Sequence, residues 1–268
     1  MSNGPAPAGP TLAEEVPASK EEVRRFLLSK KWWFTIPIAE VRSSQVRYGR
    51  MRLDADYYEK AAMDSRKTLG TLSKETESLD SIAEVFTLPR FKRIYTRDPS
   101  HGYPYLRAEE VFAFRPYAEG SLARAHAPTA RGHFAKEGWL LMSSSGTVGE
   151  IVYTTKMMER FFLTHDLARI VPKENATKPI LPGYLWAYLS SPICQALIKP
   201  YGAVVRHIEP EHLADLPIPR LDSSAEERIH EMVKKAWELR DEANRLMDEA
   251  ISTAEEMVRN RAAKARMT

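Results

Sequence analysis

Three stretches of this 268-residue chain carry side chains of types and spacings that could do chemistry. Ser143-Ser144-Ser145-Gly146-Thr147-Val148-Gly149 is a hydroxyl-rich loop whose glycines would let the backbone approach an anion closely. A phosphate-binding loop needs G-x-x-x-x-G-K-[ST], and Gly149 is followed by Glu150 and Ile151 instead. His165-Asp166 could serve Ser143 or Ser145 as base and orienter, but adjacent residues of a strand point to opposite faces, which argues against a hydrolase triad. His207, Glu209, Glu211 and His212 are metal-ligand types, yet Pro210 interrupts the regular backbone that would aim two of them at one ion. A structural role suits them better. No Asp or Glu has Lys two residues after it, as a common class of metal-dependent nucleases requires, and Asp98-Pro99-Ser100-His101 lacks the D/N-P-P-aromatic loop of an adenine methyltransferase. The residues predict neither a catalytic apparatus nor a metal site.

What remains is a basic stretch with interleaved aromatics, Arg90-Phe91-Lys92-Arg93-Ile94-Tyr95-Thr96-Arg97, followed by Tyr103 and Tyr105. Lys and Arg neutralise phosphates, while Arg, Tyr and Thr also reach base edges, so duplex DNA is the natural ligand for such a surface. Phe91 and Ile94 read equally as the core face of a strand. Residues 86–136 hold nine Lys/Arg against four Asp/Glu, although the whole chain carries a formal charge of only +3, so the basic character is concentrated there. The single cysteine, Cys194, rules out an internal disulfide and reads as a buried apolar residue of a protein from a reducing compartment. No apolar run approaches the length of a membrane span and no signal-peptide pattern opens the chain, which predicts a cytoplasmic protein with no membrane partner.

The elements that must position these residues are legible in outline. Residues 1–18 are rich in proline and small residues and read as a disordered tail. Residues 19–80 read as a segment of short helices, with Lys20–Lys30 helical, Lys31–Val41 an apolar strand or turn, and a polar, helix-compatible run after Tyr57-Tyr58. From Ser81 the dense Pro and Gly punctuation predicts short strands and loops. Trp139–Met142 and Ile151–Thr154 should form a hairpin over the glycine loop, Phe161–Thr164 and Leu167–Val171 a strand pair, and residues 183–198 two short helices broken at Pro192. Residues 202–208 should add a last strand before the exit Leu216-Pro217-Ile218-Pro219.

Beyond Leu221 there is no Gly or Pro, and Ala, Glu, Lys, Arg, Leu and Met dominate, which predicts one long helix over residues 223–260. Ser223 and Glu226 have the spacing of a capping box. A heptad places Ile229, Ala236, Ala243, Ala250 and Met257 at one seam position and Met232, Leu239, Leu246 and Thr253 at the other, so the helix should have a partner helix. The expected fold class is α+β: one globular mixed α/β domain over residues 81–221, then a long coiled-coil-type helix over residues 222–268.

In their order along residues 81–260, these features resemble the specificity subunit of type I restriction-modification systems. The resemblance is carried by Gly102-Tyr103-Pro104-Tyr105-Leu106, by Ser145–Gly149, by Thr164-His165-Asp166-Leu167 with Ile170-Val171-Pro172, by Leu181-Pro182-Gly183-Tyr184-Leu185-Trp186-Ala187-Tyr188-Leu189-Ser190-Ser191, and by the Leu-Pro-Ile-Pro exit into the helix. Glu226-Glu227 stand where the family carries Glu-Gln. Such subunits are not enzymes and hold no cofactor. Two target-recognition domains, held apart by an antiparallel helix pair, each read half of a bipartite site. The helices dock an adenine methyltransferase, which brings S-adenosylmethionine, and a motor subunit, where present, brings ATP and Mg. One recognition domain here implies a half-subunit, restored to two by a homodimer.

For DNA contact the reading selects Arg90, Lys92, Arg93, Tyr95, Tyr103, Ser144, Thr147, Lys156 and Arg206. Residues 223–268 should be removable with the body left folded as a monomer. A stand-alone DNA-binding regulator or decoy, and a protein–protein adaptor with an incidental basic face, stay open as alternatives.

Overall fold

The computed structural model describes residues 55–72, 75–129, 131–201 and 206–265. The expectations for the tail, for Lys20–Lys30 and for Lys31–Val41 lie outside the described residues, as does most of the strand expected over residues 202–208. A 3-10 turn at Ala55–Tyr58 leads into helix α1 (Lys60–Thr71), where the polar run was expected to be helical. Strand β1 (Thr76–Ser78) and a single helical turn α2 (Leu79–Ile82) then open a body of short elements.

Two four-stranded sheets make up that body among the described residues. The first joins β2 (Ala83–Phe86), β9 (Leu167–Pro172), β6 (Leu140–Ser143) and β7 (Ile151–Tyr153) in that order, all antiparallel. The second joins β3 (Tyr95–Thr96), β5 (Gly120–Ala123), β4 (Gly102–Leu106) and β8 (Phe162–Leu163), with β4 and β8 parallel. Between β4 and β5 lies the short helix α3 (Ala108–Phe112). A small ribbon pairs β1 with β10 (Pro217–Pro219), turning the Leu-Pro-Ile-Pro exit into a strand.

Alternation along the central strands builds two cores. Leu140, Met142, Ile151, Tyr153, Ala168 and Ile170 face one apolar cluster, while Leu141, Val152 and Leu167 face the other. A strand buried on both faces reads as the continuous apolar run Trp139–Met142 shows. The first cluster is closed by α4 (Pro182–Leu189), α5 (Pro192–Gln195) and α6 (Pro210–Ala214), so the break at Pro192 gives two helices as its position predicts.

The structure corrects one strand pair. Phe161–Thr164 and Leu167–Val171 do form strands, but β8 joins the second sheet beside β4, and β9 joins the first between β2 and β6. Thr164-His165-Asp166 is therefore a crossing between sheets. Arg169 fixes that crossing: its side chain is fully buried, and it donates from Nε to Gly132 O at 3.0 Å and from the two Nη atoms to Leu167 O and Thr164 O, both at 2.6 Å. Burial lowers its pKa to about 10, which still leaves it cationic at neutral pH.

The last element, α7, runs Ser223–Ala265. Its 43 residues make it about 65 Å long. Asp222, not Ser223, caps it: Asp222 Oδ1 accepts from Ala225 N–H at 2.9 Å and from the Ser224 hydroxyl at 2.6 Å. Glu226 reaches back instead to Leu221 N–H at 2.9 Å and takes the Arg220 fork at 2.9 and 3.0 Å. The expected box does not form because, with Asp222 as the cap, Ala225 takes the third helical position and Glu226 falls one residue beyond it.

Where α7 meets α4, Gly183 makes the close approach possible. A Cβ on Gly183 would lie 2.6 Å from His230 Nδ1 and 2.8 Å from His230 O. In its place the Gly183 N–H donates to His230 Nδ1 at 3.0 Å.

Candidate nucleic-acid interface

The segment from Thr87 to Ile94 is irregular, and only Tyr95 and Thr96 of the basic stretch lie in a strand. Phe91 anchors it, with its ring 5.1 Å from His133, 5.8 Å from Phe162 and 5.6 Å from His165, all edge-on. With Phe91 turned inward, Arg90, Lys92 and Arg93 are left exposed.

Arg93 reaches over a cleft between this segment, α3 and the loop joining β6 to β7. Its Nη2 donates to Asp166 Oδ2 at 3.2 Å, and its guanidinium lies 5.7 Å from the centre of the Tyr105 ring. Asp166 is itself fixed by the Thr164 hydroxyl, which donates to Oδ2 at 3.0 Å, and by His165 Nε2, 3.3 Å from Oδ1. Burial, and the charges of Arg93, Arg90 and Arg169, hold the His165 pKa below the free imidazole value, against the pull of Asp166. Ser145 and Thr147 line the facing wall, on a turn where Gly146 and Gly149 have φ of 77° and 98°. A side chain at either glycine would be strained in that left-handed conformation. Arg107 and Glu109 complete the far end.

The nine expected contact residues distribute unevenly. Arg93 and Thr147 line this cleft together. Tyr95 is 52% exposed in the adjoining depression, which shares Arg107 with the cleft. Arg206 is exposed and borders the loop through its carbonyl, which accepts from Gly146 N–H at 3.1 Å. Tyr103 is half-buried: Phe162 stacks 5.9 Å from it, Phe134 meets it edge-on and the Arg124 guanidinium lies 5.1 Å from its centre. Two residues stand apart. Ser144 is buried, because its strand neighbours face the core and its carbonyl accepts from Ile208 N–H. Lys156 lies in a 3-10 turn and lines a separate cavity against α7, with Lys234, Asp241 and Arg245.

Asp166, Arg107 and Ser145 were not among the expected contacts. The Thr-His-Asp spacing does contain the hydroxyl that orients Asp166, but only the crossing between sheets brings Asp166 to Arg93. The other stretches weighed for chemistry have structural uses. The Ser143 hydroxyl donates to Ser145 O. Glu209 precedes α6, and its N–H donates to His212 Nδ1 at 3.1 Å.

Most heptad residues lie along the outer side of α7, but Ile229 packs against the core of the body. Met232, Leu239, Leu246 and Met257 are 67%, 56%, 52% and 68% exposed, Ala236 and Ala250 are exposed, and Ile229 and Ala243 are half-buried. The opposite side packs on the body through Val233, Trp237, Arg240 and Asn244. Removing residues 223–268 would therefore strip a layer from the core, contrary to the expectation that the body would stand alone. Among the described residues, no helix is long and apolar enough to cross a membrane.

Searches against family models and curated proteins return no match. Among solved structures, the HsdS subunit from Thermoanaerobacter tengcongensis is similar at 16% identity and a TM-score of 0.42, over 84% of this chain and 53% of that one. A chain from a structure of type I restriction-modification complex assembly matches at 16% identity and a TM-score of 0.44, over 88% of this chain and 56% of that one. The type I S subunit from M. genitalium matches at 15% identity and 0.39, over 60% and 37%. The chain spans about half the length of the first two solved chains.

Proposed function

We propose that this chain is a DNA-binding, non-catalytic specificity subunit of the type I restriction-modification kind, supplying one target-recognition domain. The observation that carries the reading is the pairing of a cleft that has a basic, aromatic-anchored rim with a rigidly mounted helix that leaves apolar heptad residues exposed. The cleft offers Arg93 and Thr147 to a duplex, with Arg90 and Lys92 exposed beside it for phosphates. The outward heptad is a surface that water leaves unsatisfied, and a second copy of the helix would cover it.

In this reading two chains pair antiparallel along Met232, Leu239, Leu246 and Met257, and the two clefts read a palindromic split site. The helix pair then docks an adenine methyltransferase. That partner supplies S-adenosylmethionine, and a motor subunit, where one joins, supplies ATP hydrolysis with Mg. The protein would work in the cytoplasm.

The test is to insert or delete helical turns in the exposed part of α7, beyond Met247, and to select bound duplexes from a randomised pool in the presence of the cognate methyltransferase. The spacing between the selected half-sites should change with the helix length. An unchanged spacing, or failure to hold a methyltransferase, would reject the subunit reading. Binding without a methyltransferase would favour the stand-alone regulator.

A further inference from the structure

The cleft under Arg93 differs in charge from the surface around it. Two arginines line it, Arg93 and Arg107, against three carboxylates, Glu109, Glu150 and Asp166. Arg107 is fully engaged: its guanidinium meets Glu110 at 2.8 Å, Glu119 at 2.9 Å and Glu109 at 3.1 Å. A cleft with that balance repels phosphate, whose binding depends on an excess of cations. It suits base edges, which present neutral donors and acceptors side by side.

Arg93 is also held as a reading group would be. One nitrogen, Nη2, contacts Asp166 at 3.2 Å, which tethers the guanidinium over the Tyr105 ring, 5.7 Å from its centre. Asp166 is backed by Thr164, and the backbone carbonyls of Thr164 and Leu167 are clamped by buried Arg169. A chain of contacts thus runs from the core to the guanidinium, and such preorganisation lowers the entropy lost on binding. Arginine prefers the O6 and N7 acceptors of guanine in the major groove.

Resting on the proposed DNA-binding role, we propose that Arg93 reads a guanine through its major-groove edge and that Asp166 is its positioning residue. Arg90 and Lys92 contact phosphates at the rim. The two kinds of contact differ in salt dependence, since only phosphate neutralisation releases counterions.

The full chain is used to select duplexes from a pool randomised through its centre, and each selected guanine is then replaced by 7-deazaguanine, which lacks the N7 acceptor. At one position the wild type should lose about tenfold or more in affinity, while Arg93→Ala should be indifferent to the replacement there. Arg93→Lys, which keeps the charge and guards against misfolding of the alanine variant, should lose the same discrimination with an unaltered salt slope. Asp166→Asn should weaken the selected duplex alone and add nothing to Arg93→Ala.

If Arg93→Ala still discriminates at every guanine, or weakens all duplexes equally with a salt slope lower by about one, Arg93 is not a base reader. Additive losses from Asp166→Asn and Arg93→Ala would remove Asp166 from the positioning role. A wild type that selects no sequence overturns the proposed function itself, an outcome distinct from the others.

Discussion

The two sides of α7 invert the usual arrangement of a surface helix. Toward the body it presents Glu226, Ile229, His230, Val233, Trp237, Arg240 and Asn244, of which three are apolar; toward solvent it presents Met232, Leu239, Leu246 and Met257. An ordinary amphipathic helix buries its apolar stripe. Here the inner side is held largely by directed contacts. Arg240 donates to Phe114 O at 2.7 Å and Ala113 O at 2.9 Å, Asn244 donates to Phe114 O at 3.0 Å, and Arg115 pairs with Asp248. Hydrogen bonds to fixed carbonyls set direction better than non-directional apolar contact does. The difference teaches that the inner side aims the helix while the outer side leaves its apolar area exposed, as the proposed pairing with a second copy requires.

The largest effects should come from breaking the inner side. Trp237 meets Trp186 edge-on at 5.8 Å and carries the Arg240 guanidinium 4.5 Å from its ring centre. Trp237→Ala should cost about 3 kcal/mol, read as a lowered denaturant midpoint. Glu226→Ala should cost a similar amount, about 3 kcal/mol, because the Arg220–Glu226 pair has side chains only 7% and 3% exposed. Gly183→Ala should destabilise by about 1–3 kcal/mol through overpacking. Gly70, where an added Cβ meets nothing within 4 Å, serves as the control. If Gly183→Ala costs no more than Gly70→Ala, the tight docking described for α7 is wrong.

Changes to the outer side should sharpen the contrast. Leu239→Glu with Leu246→Glu should alter monomer stability by no more than about 0.5 kcal/mol and abolish self-association in sedimentation. A truncation after Met247 should likewise remain folded, because residues 248–265 are exposed throughout. Unfolding of either variant would show that the outer side supports the body.

How much of this was legible in the sequence follows from the range of the forces involved. The long helix, the break at Pro192 and the hairpin over Ser145–Gly149 rest on local propensity and short periodicity, and they are found where those signals put them. The partner of β8 depends on a long-range choice between two sheets, to which alternation is blind, and the pairing with β9 was misassigned. The heptad gave the outer side of α7 but not the inner one, since polar contacts such as Arg240 to Phe114 O leave no periodic trace. In the cleft, Arg93 was visible as one cation of a basic run. Asp166 was not, because its meeting with Arg93 is made by a crossing 73 residues away in sequence.

The smallest effect expected is the pH dependence contributed by the inner side. His230 Nδ1 must stay unprotonated to accept from Gly183 N–H, and burial pushes its pKa below 6.5, opposed by Glu231 and Glu227 and aided by Lys234. The unfolded chain then takes up a proton at higher pH than the folded one. The stability contributed by this contact is full above about pH 6.5 and is lost as pH falls through the lowered folded value. Glu226 adds a second, more acidic loss. Burial alone would raise its pKa, but Arg220, Leu221 N–H and Lys178 outweigh that and hold it below 4.5, so its contribution persists above that value and fades beneath it. Denaturant midpoints measured from pH 7.5 to pH 5, a window of about one unit or more on either side of free imidazole, should fall for the wild type and fall less for His230→Gln, the remaining slope coming from buried His133 and half-buried His165. The same series on Leu239→Glu should run parallel to the wild type, since nothing on the outer side titrates with the docking of the helix.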